Sequence, residues 1–407
     1  MQRRQFLSAI AALSGASGLS WSSQVMAGAA NASSQARFLL VFLRGGYDAS
    51  HFLIPHSSQF YYDSRPNIAI ARPGSQPDSS LLLNSEWALH PALRESLYPM
   101  FQQGEASFIP FAGTDDLSRS HFETQDSIEM GQALQGSRDF HSGFLNRLST
   151  VLQGSQGVAS MAFTDQLPII LQGATSATNL ALKNPSKTSV DERQRAIISE
   201  MYSDSGLGAQ VNTGFQTRAD VIKELQEEMN SANRNAITTK GFALEAQRIA
   251  KLMREKYALG FVDVGGWDTH VDQGGARGTL AGKFEELGRG LQSYREEMGS
   301  QWKNTTVVVI SEFGRTFREN GKRGTDHGHG TVYWVLGGGL SRDRGQGRIA
   351  GEQIMPAPGK LFQNRDYPVL NEYRAVFGGL FARLYGLNSK QLDTVFAGVK
   401  SKDLGIL

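Results

Sequence analysis

Short apolar runs recur along the chain, and most of them stop abruptly at glycine or at a knot of polar residues. Arg37-Phe38-Leu39-Leu40-Val41-Phe42-Leu43 ends at Arg44-Gly45-Gly46-Tyr47-Asp48. Ala106-Ser107-Phe108-Ile109-Pro110-Phe111-Ala112-Gly113 leads toward Ser118-Arg119-Ser120-His121-Phe122. Phe261-Val262-Asp263-Val264 runs into Gly265-Gly266-Trp267-Asp268-Thr269-His270, and Thr305-Thr306-Val307-Val308-Val309-Ile310 into Ser311-Glu312-Phe313-Gly314-Arg315-Thr316. A fifth run covers Thr331 to Leu336. Runs that are apolar at nearly every position, and not at alternate ones, predict strands buried on both faces, as in a parallel sheet.

Helical patterns lie between the runs. Pro91 to Gln103 reads as an amphipathic helix with Pro91 at its first position. Ser120 to Gly131, Gly278 to Gly299 and Asn371 to Leu387 read as helices too, as does Thr217 to Tyr257 with an interruption near Asn230 to Thr239. Strands alternating with helices predict an α/β doubly wound fold, mostly parallel. In that architecture ligands bind beyond the carboxyl ends of the strands, where the polar clusters lie. The region from about 154 to 236 is richer in Ser, Asn, Gln and Thr, with Pro168-Ile169-Ile170-Leu171 as a lone short strand. It reads as an inserted cap.

The amino terminus has a different character. Met1-Gln2-Arg3-Arg4-Gln5-Phe6-Leu7 precedes a weakly apolar stretch from Ser8 to Trp21 and the small-residue run Val25-Met26-Ala27-Gly28-Ala29-Ala30. A basic start, a short apolar region and an Ala-x-Ala-like end make residues 1–30 a signal peptide, cut after Ala27 or Ala29. The paired arginines followed by Phe6-Leu7 resemble a twin-arginine export signal, which implies the twin-arginine machinery as partner and the periplasm as destination. The apolar stretch is too short to span a bilayer, so no membrane span is expected after signal removal.

Composition narrows the chemistry. The chain has no cysteine, which excludes thiolate metal sites, iron–sulfur clusters, disulfides and a cysteine nucleophile. The first thirty residues hold two of the 41 basic residues and no acid, so the remainder balances at 39 basic against 39 acidic. A neutral body gives no electrostatic case for nucleic acid. Any metal must be held by His, Asp, Glu, hydroxyl or backbone oxygen, donors that suit zinc, manganese, magnesium, calcium or iron.

Histidine is scarce, eight in all, yet Asp326-His327-Gly328-His329-Gly330 carries two within four residues. Imidazoles beside carboxylates on glycine-rich turns are the makings of a metal site, with glycine expected to bend the backbone and leave room for an ion. Asp326, His327 and His329 are the strongest candidate ligands, joined by Asp268 and His270. Asp48 and Glu312 can reach a metal from their strand ends or can serve as a turn residue and a capping carboxylate. Ser118 and Ser120 sit at a helix start, where the field favours an anion or alkoxide, though both are also ordinary capping residues. Arg119 is a candidate clamp for phosphate or sulfate. Arg315 can hold an oxyanion or pair with Glu312, and His121 is a candidate site residue.

Gly-Gly-Trp-Asp-Thr-His, Ser-Glu-Phe-Gly-Arg-Thr, Asp-His-Gly-His-Gly and Ser-Arg-Ser-His-Phe, with the twin-arginine start, together resemble the bacterial family named domain of unknown function 1501. The resemblance spans nearly the whole of residues 31–407. It implies kinship with the alkaline phosphatase and sulfatase superfamily: a mostly parallel sheet sandwiched between helices, with one or two divalent metal ions at the strand ends. It implies Asp48 as the first-strand metal aspartate, Asp268 and His270 as ligands of one metal, and Asp326, His327 and His329 as the late ligands. Glu312 stands where that superfamily has Asp-His. The nucleophile is expected after the second strand, among Thr114, Ser118 and Ser120, and without cysteine no formylglycine can form. The expected activity is hydrolysis of a small anionic ester, phosphate or sulfate. The alternative is a degenerate, non-catalytic metal-binding protein of the envelope that acts as a scaffold or binds a partner.

Overall fold

The apolar runs become strands whose order brings their polar ends together. The computed structural model describes residues 35–135, 138–156, 158–182, 192–202, 207, 211, 213, 215, 241–343, 345 and 347–407. Strand β1 (Arg37–Leu43) is the interior strand expected from its sequence, buried at every position. Strands β2 (Leu53–Ile54), β3 (Leu81–Leu82) and β4 (Ala88–Leu89) form a small antiparallel sheet. The main sheet adds β5 (Ala106–Gly113), β6 (Ser160–Ala162), β7 (Thr178–Asn179), β8 (Leu259–Val264), β9 (Thr305–Ser311), β10 (Thr331–Gly337) and β11 (Asn371–Glu372). Its order is β11-β5-β10-β9-β1-β8-β6-β7.

Direction matters more than order. Strands β8 and β9 flank β1 in parallel, with Leu40 opposite Phe261 on one side and Val308 on the other. Strands β6 and β7 continue the parallel run beyond β8, and β11 is parallel to β5. Strand β10 alone is reversed, antiparallel to both β9 and β5. The carboxyl ends of β1, β5, β8 and β9 therefore share one edge with the amino end of β10.

Helices cover both faces. The principal ones are α1 (His121–Met130), α2 (Phe144–Gln156), α3 (Phe242–Glu255), α4 (Thr279–Met298), α5 (Tyr373–Tyr385) and α6 (Ser389–Val395). Alternate side chains of β1 serve opposite layers. Phe38 meets Phe377 and Phe381 of α5 edge-on, at 6.1 and 5.2 Å between ring centroids. Leu39, Val41 and Leu43 join the opposite core, where Phe52 stacks on Trp334 of β10 at 3.9 Å and Phe284 of α4 packs beside both. Each such buried aromatic contributes roughly 1.5–3 kcal/mol by leaving water.

Three expected elements come out differently. The Pro91 to Gln103 helix divides into a 3-10 turn at Pro91–Leu93 and a short helix at Leu97–Gln102. The His90 ring accepts from the Ala92 N–H and so caps the first piece, while Pro99 falls in the first turn of the second, where its missing N–H costs little. Ile169–Leu171 is a 3-10 turn and not a strand, because the Ile170 N–H donates to the Glu129 carboxylate (3.1 Å) instead of to a ladder. Within the region expected to be a cap, β6 and β7 extend the main sheet. The part of the expected Thr217 to Tyr257 helix before Gly241 lies outside the described residues; α3 accounts for the remainder.

One buried ion pair braces the start of the edge. Arg65, 0 % exposed, donates Nη1 and Nη2 to the two oxygens of Asp48 (2.5 and 3.0 Å) and Nε to the Phe317 carbonyl (2.7 Å). Gln273 adds a third donor to Asp48 at 2.7 Å. Burial works to raise the Asp48 pKa, but Arg65 and then His51 outweigh it and hold the carboxyl far below its usual range. That contribution to stability is present above the ordinary carboxyl value of 3.8 and begins to fall as pH drops below it. Arg65→Ala strands a buried carboxylate and is expected to cost about 3–5 kcal/mol in urea unfolding. The double change Arg65→Met with Asp48→Asn should cost much less, and equal losses from the two variants would contradict the pairing.

Candidate metal centre

The shared edge gathers histidines from three loops. His121 is the first residue of α1, after β5, and Asp268 and His270 follow β8. His327 precedes the reversed strand β10 and reaches the same edge for that reason alone. The Nε2 atoms of His121 and His327 lie 3.0 Å apart, and those of His270 and His327 lie 3.1 Å apart. Asp268 Oδ1 sits 2.8 Å from His270 Nε2 and 3.1 Å from His327 Nε2, while Oδ2 is 3.6 Å from His121 Nε2. His121, Asp268 and His327 offer ligand atoms within 4.8 Å of one another and could together hold a metal ion. His270 adjoins that group.

The other ring nitrogens decide what the cluster presents. His121 Nδ1 faces Glu312 Oε1 at 2.7 Å, His327 Nδ1 faces the Arg119 carbonyl at 3.1 Å, and His270 Nδ1 faces Asp326 Oδ1 at 3.4 Å. Glu312, at 2.7 Å, can only accept, which places the proton of a neutral His121 on Nδ1 and a lone pair on its Nε2; His270 and His327 face acceptors on both sides, with Asp268 Oδ1 at their Nε2 atoms. Three Nε2 atoms and a carboxylate converge, groups that ligate a cation once deprotonated. Two nitrogens bound tetrahedrally to one zinc-like ion at 2.0–2.1 Å would be about 3.3 Å apart, close to the spacing here. Carboxylate or carbonyl backing of a ligating imidazole is the usual way a protein fixes its tautomer. The donor set fits a divalent transition ion.

Two charged residues frame the cluster. Glu312, 0 % exposed, accepts from His121, from Gln125 (2.8 Å), from the Gly45 N–H (2.8 Å) and from Ser311 Oγ (2.9 Å). Burial pushes its pKa up, but the His121 and Gln125 hydrogen bonds outweigh that and leave it lowered. Arg315 donates to the carbonyls of Gly45, Gly46, Trp267 and Thr325 and to Asp268 Oδ1. For Asp268 too, burial is outweighed, first by Arg315 and then by His270, so its carboxyl lies below the usual range.

Several expected roles change in this geometry. Asp48 does not join the cluster, because both of its oxygens are taken by Arg65. Glu312 holds His121 instead of standing among the ligands, and Asp326 stands behind His270 in the same way. His329 lies apart, buried against Phe362 at 5.0 Å between rings, and burial lowers its pKa to about 4. Arg119 is no free clamp: its guanidinium pairs with buried Asp366 (2.8 Å) and Gln363 (2.8 Å). Its left-handed backbone, φ 52°, accompanies the carbonyl's use by His327, a conformation costing about 1–2 kcal/mol outside glycine. Arg315 pairs with Asp268 and not with Glu312.

The hydroxyls divide similarly. Thr114 Oγ1 accepts from the Asp116 N–H, and Ser118 Oγ accepts from the Ser120 N–H and meets Thr124 Oγ1. Both brace the loop before α1. Ser120 caps α1 by position without a side-chain hydrogen bond to the helix and directly precedes His121. The glycines do not leave space for an ion. A side chain at Gly314 would strike the Gly330 backbone, and one at Gly328 the Arg315 backbone. They let the loop before β10 lie flat on the loop after β9, where the Gly328 N–H donates to the Gly314 carbonyl and the Gly314 N–H to the His329 carbonyl, both at 2.9 Å.

The sequence reading missed Gln125 and Phe313. Gln125 is four residues after His121 on α1, so the two share a helix face and both reach Glu312. Phe313 is buried beside the rings of His121 (4.9 Å) and His327 (5.0 Å), walling one side of the cluster with apolar surface.

Fold and site define a mixed α/β protein with a mostly parallel sheet and a His/Asp cluster at its strand ends. The model of the family described as "Protein of unknown function (DUF1501)" matches residues 35–396, and the chain belongs to that family. No curated protein matches. Two solved structures, "Crystal structure of Ps i-CgsB in complex with k-i-k-neocarrahexaose" and "Crystal structure of Ps i-CgsB", are similar at 9% and 11% identity. In both cases the match covers 91% of this chain and 75% of that chain, with a TM-score of 0.35. Among the described residues, no helix is long and apolar enough to cross a membrane.

The histidines should titrate in a fixed order. The hydrogen bond to Glu312 raises the His121 pKa above 6.5, while burial and then His121 itself lower that of His327. His121 therefore favours the folded state fully below pH 6.5, and that contribution fades as pH rises through its raised value. His327 stays neutral at pH values where His121 is charged. Imidazole NMR titration of the metal-free protein should give this order; the reverse order would rule out the Glu312–His121 contact.

Proposed function

We propose that this chain is a periplasmic metal-dependent hydrolase of phosphate or sulfate esters. The observation that carries the reading is the convergence of imidazole nitrogens and a carboxylate at a partly open edge. The side chains of His121, His327, His270 and Asp268 are 24%, 27%, 38% and 43% exposed, so a small molecule can reach them. A divalent ion held by His121, Asp268 and His327 supplies Lewis-acid polarisation of an ester oxygen and eases ionisation of a water. The chain's own groups do the rest. Glu312 and the Arg119 carbonyl keep two rings aimed, and Phe313 excludes water from one side. His270, backed by Asp326, is a base with an orienting carboxylate and can take a proton at Nε2. Ser120 remains the hydroxyl candidate, since Thr114 and Ser118 are engaged in the loop. The twin-arginine-like start supports export to the periplasm.

A second reading has one specific observation behind it. Arg119 and Arg315, the two expected anion clamps, both have their guanidinium groups engaged within the protein. That favours a non-catalytic metal-binding protein of the envelope. A screen with a phosphate monoester, a phosphate diester and a sulfate ester, using protein loaded in turn with zinc, manganese and magnesium, separates the two. Turnover is expected on at least one class, falling at least about a hundredfold in Asp268→Asn and His327→Ala. No turnover on any class with any ion would sink the hydrolase and leave the binding reading.

A further inference from the structure

We infer that the centre is built for one divalent transition ion and not two, with the Arg315 guanidinium as its fixed second cation. Three independent features of the edge lead there.

Charge comes first. The groups that touch the cluster are the carboxylates of Asp268, Glu312 and Asp326 and the guanidinium of Arg315, and imidazoles that ligate a metal do so in the neutral form. Three negative charges and one positive leave a formal −2. One divalent ion brings that to zero, whereas two would leave a formal +2.

Ligand supply comes second. A second ion needs its own donors, and the buried carboxylates in reach are engaged, which leaves only the exposed Asp326 carboxylate that backs His270. Asp48 is 1 % exposed and receives Arg65, Gln273 and His51. Glu312 already accepts four hydrogen bonds. His329 points its ring at Phe362. Recruiting any of them means breaking buried pairs.

Position comes third. Arg315 Nη2 lies on Asp268 Oδ1, the oxygen that also faces His270 and His327, and Nη1 lies 3.3 Å from His270 Nε2. A positive charge already occupies the His270 side of the carboxylate, and buried backbone carbonyls on several loops prevent its withdrawal. The remaining nitrogens and carboxylate make a set of borderline softness, suited to zinc, iron, copper or nickel and poorly suited to magnesium or calcium, which take oxygen.

The inference shares only the cluster with the hydrolase reading and is tested without activity. The full chain is stripped with chelator, re-equilibrated with zinc, cobalt(II), magnesium or calcium, and analysed by elemental analysis and calorimetry. The expected result is one zinc or cobalt per chain and no retained magnesium or calcium. Asp268→Asn should abolish retention, and His329→Ala should leave it unchanged. Glu312→Gln should weaken affinity roughly 10- to 100-fold while the ratio stays at one. Arg315→Gln, if circular dichroism shows it folded, should bind the first ion roughly tenfold or more tightly, or admit a second; if it does not fold, the unsubstituted chain's ratio decides. Two ions per chain, no ion at all, magnesium retained as well as zinc, or loss of binding in His329→Ala would each overturn the inference. One tightly bound zinc with no turnover would sink only the hydrolase, and turnover requiring two ions would sink only this inference.

Discussion

One buried guanidinium holds the edge of this sheet together. Arg315 follows β9, and its fork reaches the carbonyls of Gly45 and Gly46 after β1, of Trp267 after β8 and of Thr325 before β10. A guanidinium presents five N–H donors in a fixed plane, so acceptors that satisfy it are fixed relative to one another. Glycine-rich loops have no rigidity of their own. Here their register comes from one side chain that is 0 % exposed and cannot lose its charge in practice. Burial lowers its pKa, while Asp268 works against that. Asp268 is thus tied to the scaffold before it is available to any ion.

The histidines depend on a second layer of the same kind. His121 is aimed by Glu312, which is itself aimed by Gln125, Ser311 and the Gly45 amide. Gly45 therefore serves both frames: its N–H goes to Glu312 and its carbonyl to Arg315. Two opposite charges, each fully buried, are joined through one residue just beyond β1. A buried charge with a full set of partners is tolerable, and the same charge with one partner missing costs several kcal/mol. Disturbing the first residues after β1 therefore disturbs both the carboxylate and the cation of the centre.

The sequence carried the strands well, because burial on both faces writes itself as an unbroken apolar run and glycine marks where it ends. It carried the location of the site for the same reason. What it could not carry was direction. Nothing in Thr331 to Leu336 tells a reversed strand from a parallel one, yet only the reversal of β10 brings His327 to the edge that His121 and Asp268 occupy. It also could not reveal remote partners. Asp48 reads as a free carboxylate until Arg65, seventeen residues on, is seen on both oxygens. Glu312 reads as a ligand until its four donors are counted. His329 shares a motif with His327, but Gly328 hydrogen-bonds to Gly314 while Gly314 takes the His329 carbonyl, and the two rings part company across that pairing.

Asp268 shows why a short carboxylate suits this position. Its Oδ1 meets Arg315, His270 and His327, while Oδ2 is the oxygen turned toward His121. One oxygen is shared by a permanent cation and two imidazoles, and the other faces His121 alone. That division makes the cluster asymmetric: the His270 side is already compensated by charge, and the His121–His327 side is not. Coulombic attraction for an added cation is therefore strongest between His121 and His327, where the two Nε2 atoms are 3.0 Å apart and no guanidinium intervenes. The asymmetry also separates the imidazoles by role. The rings held by Glu312 and by a backbone carbonyl face the uncompensated space, and the ring backed by the exposed carboxylate of Asp326 is left beside Arg315.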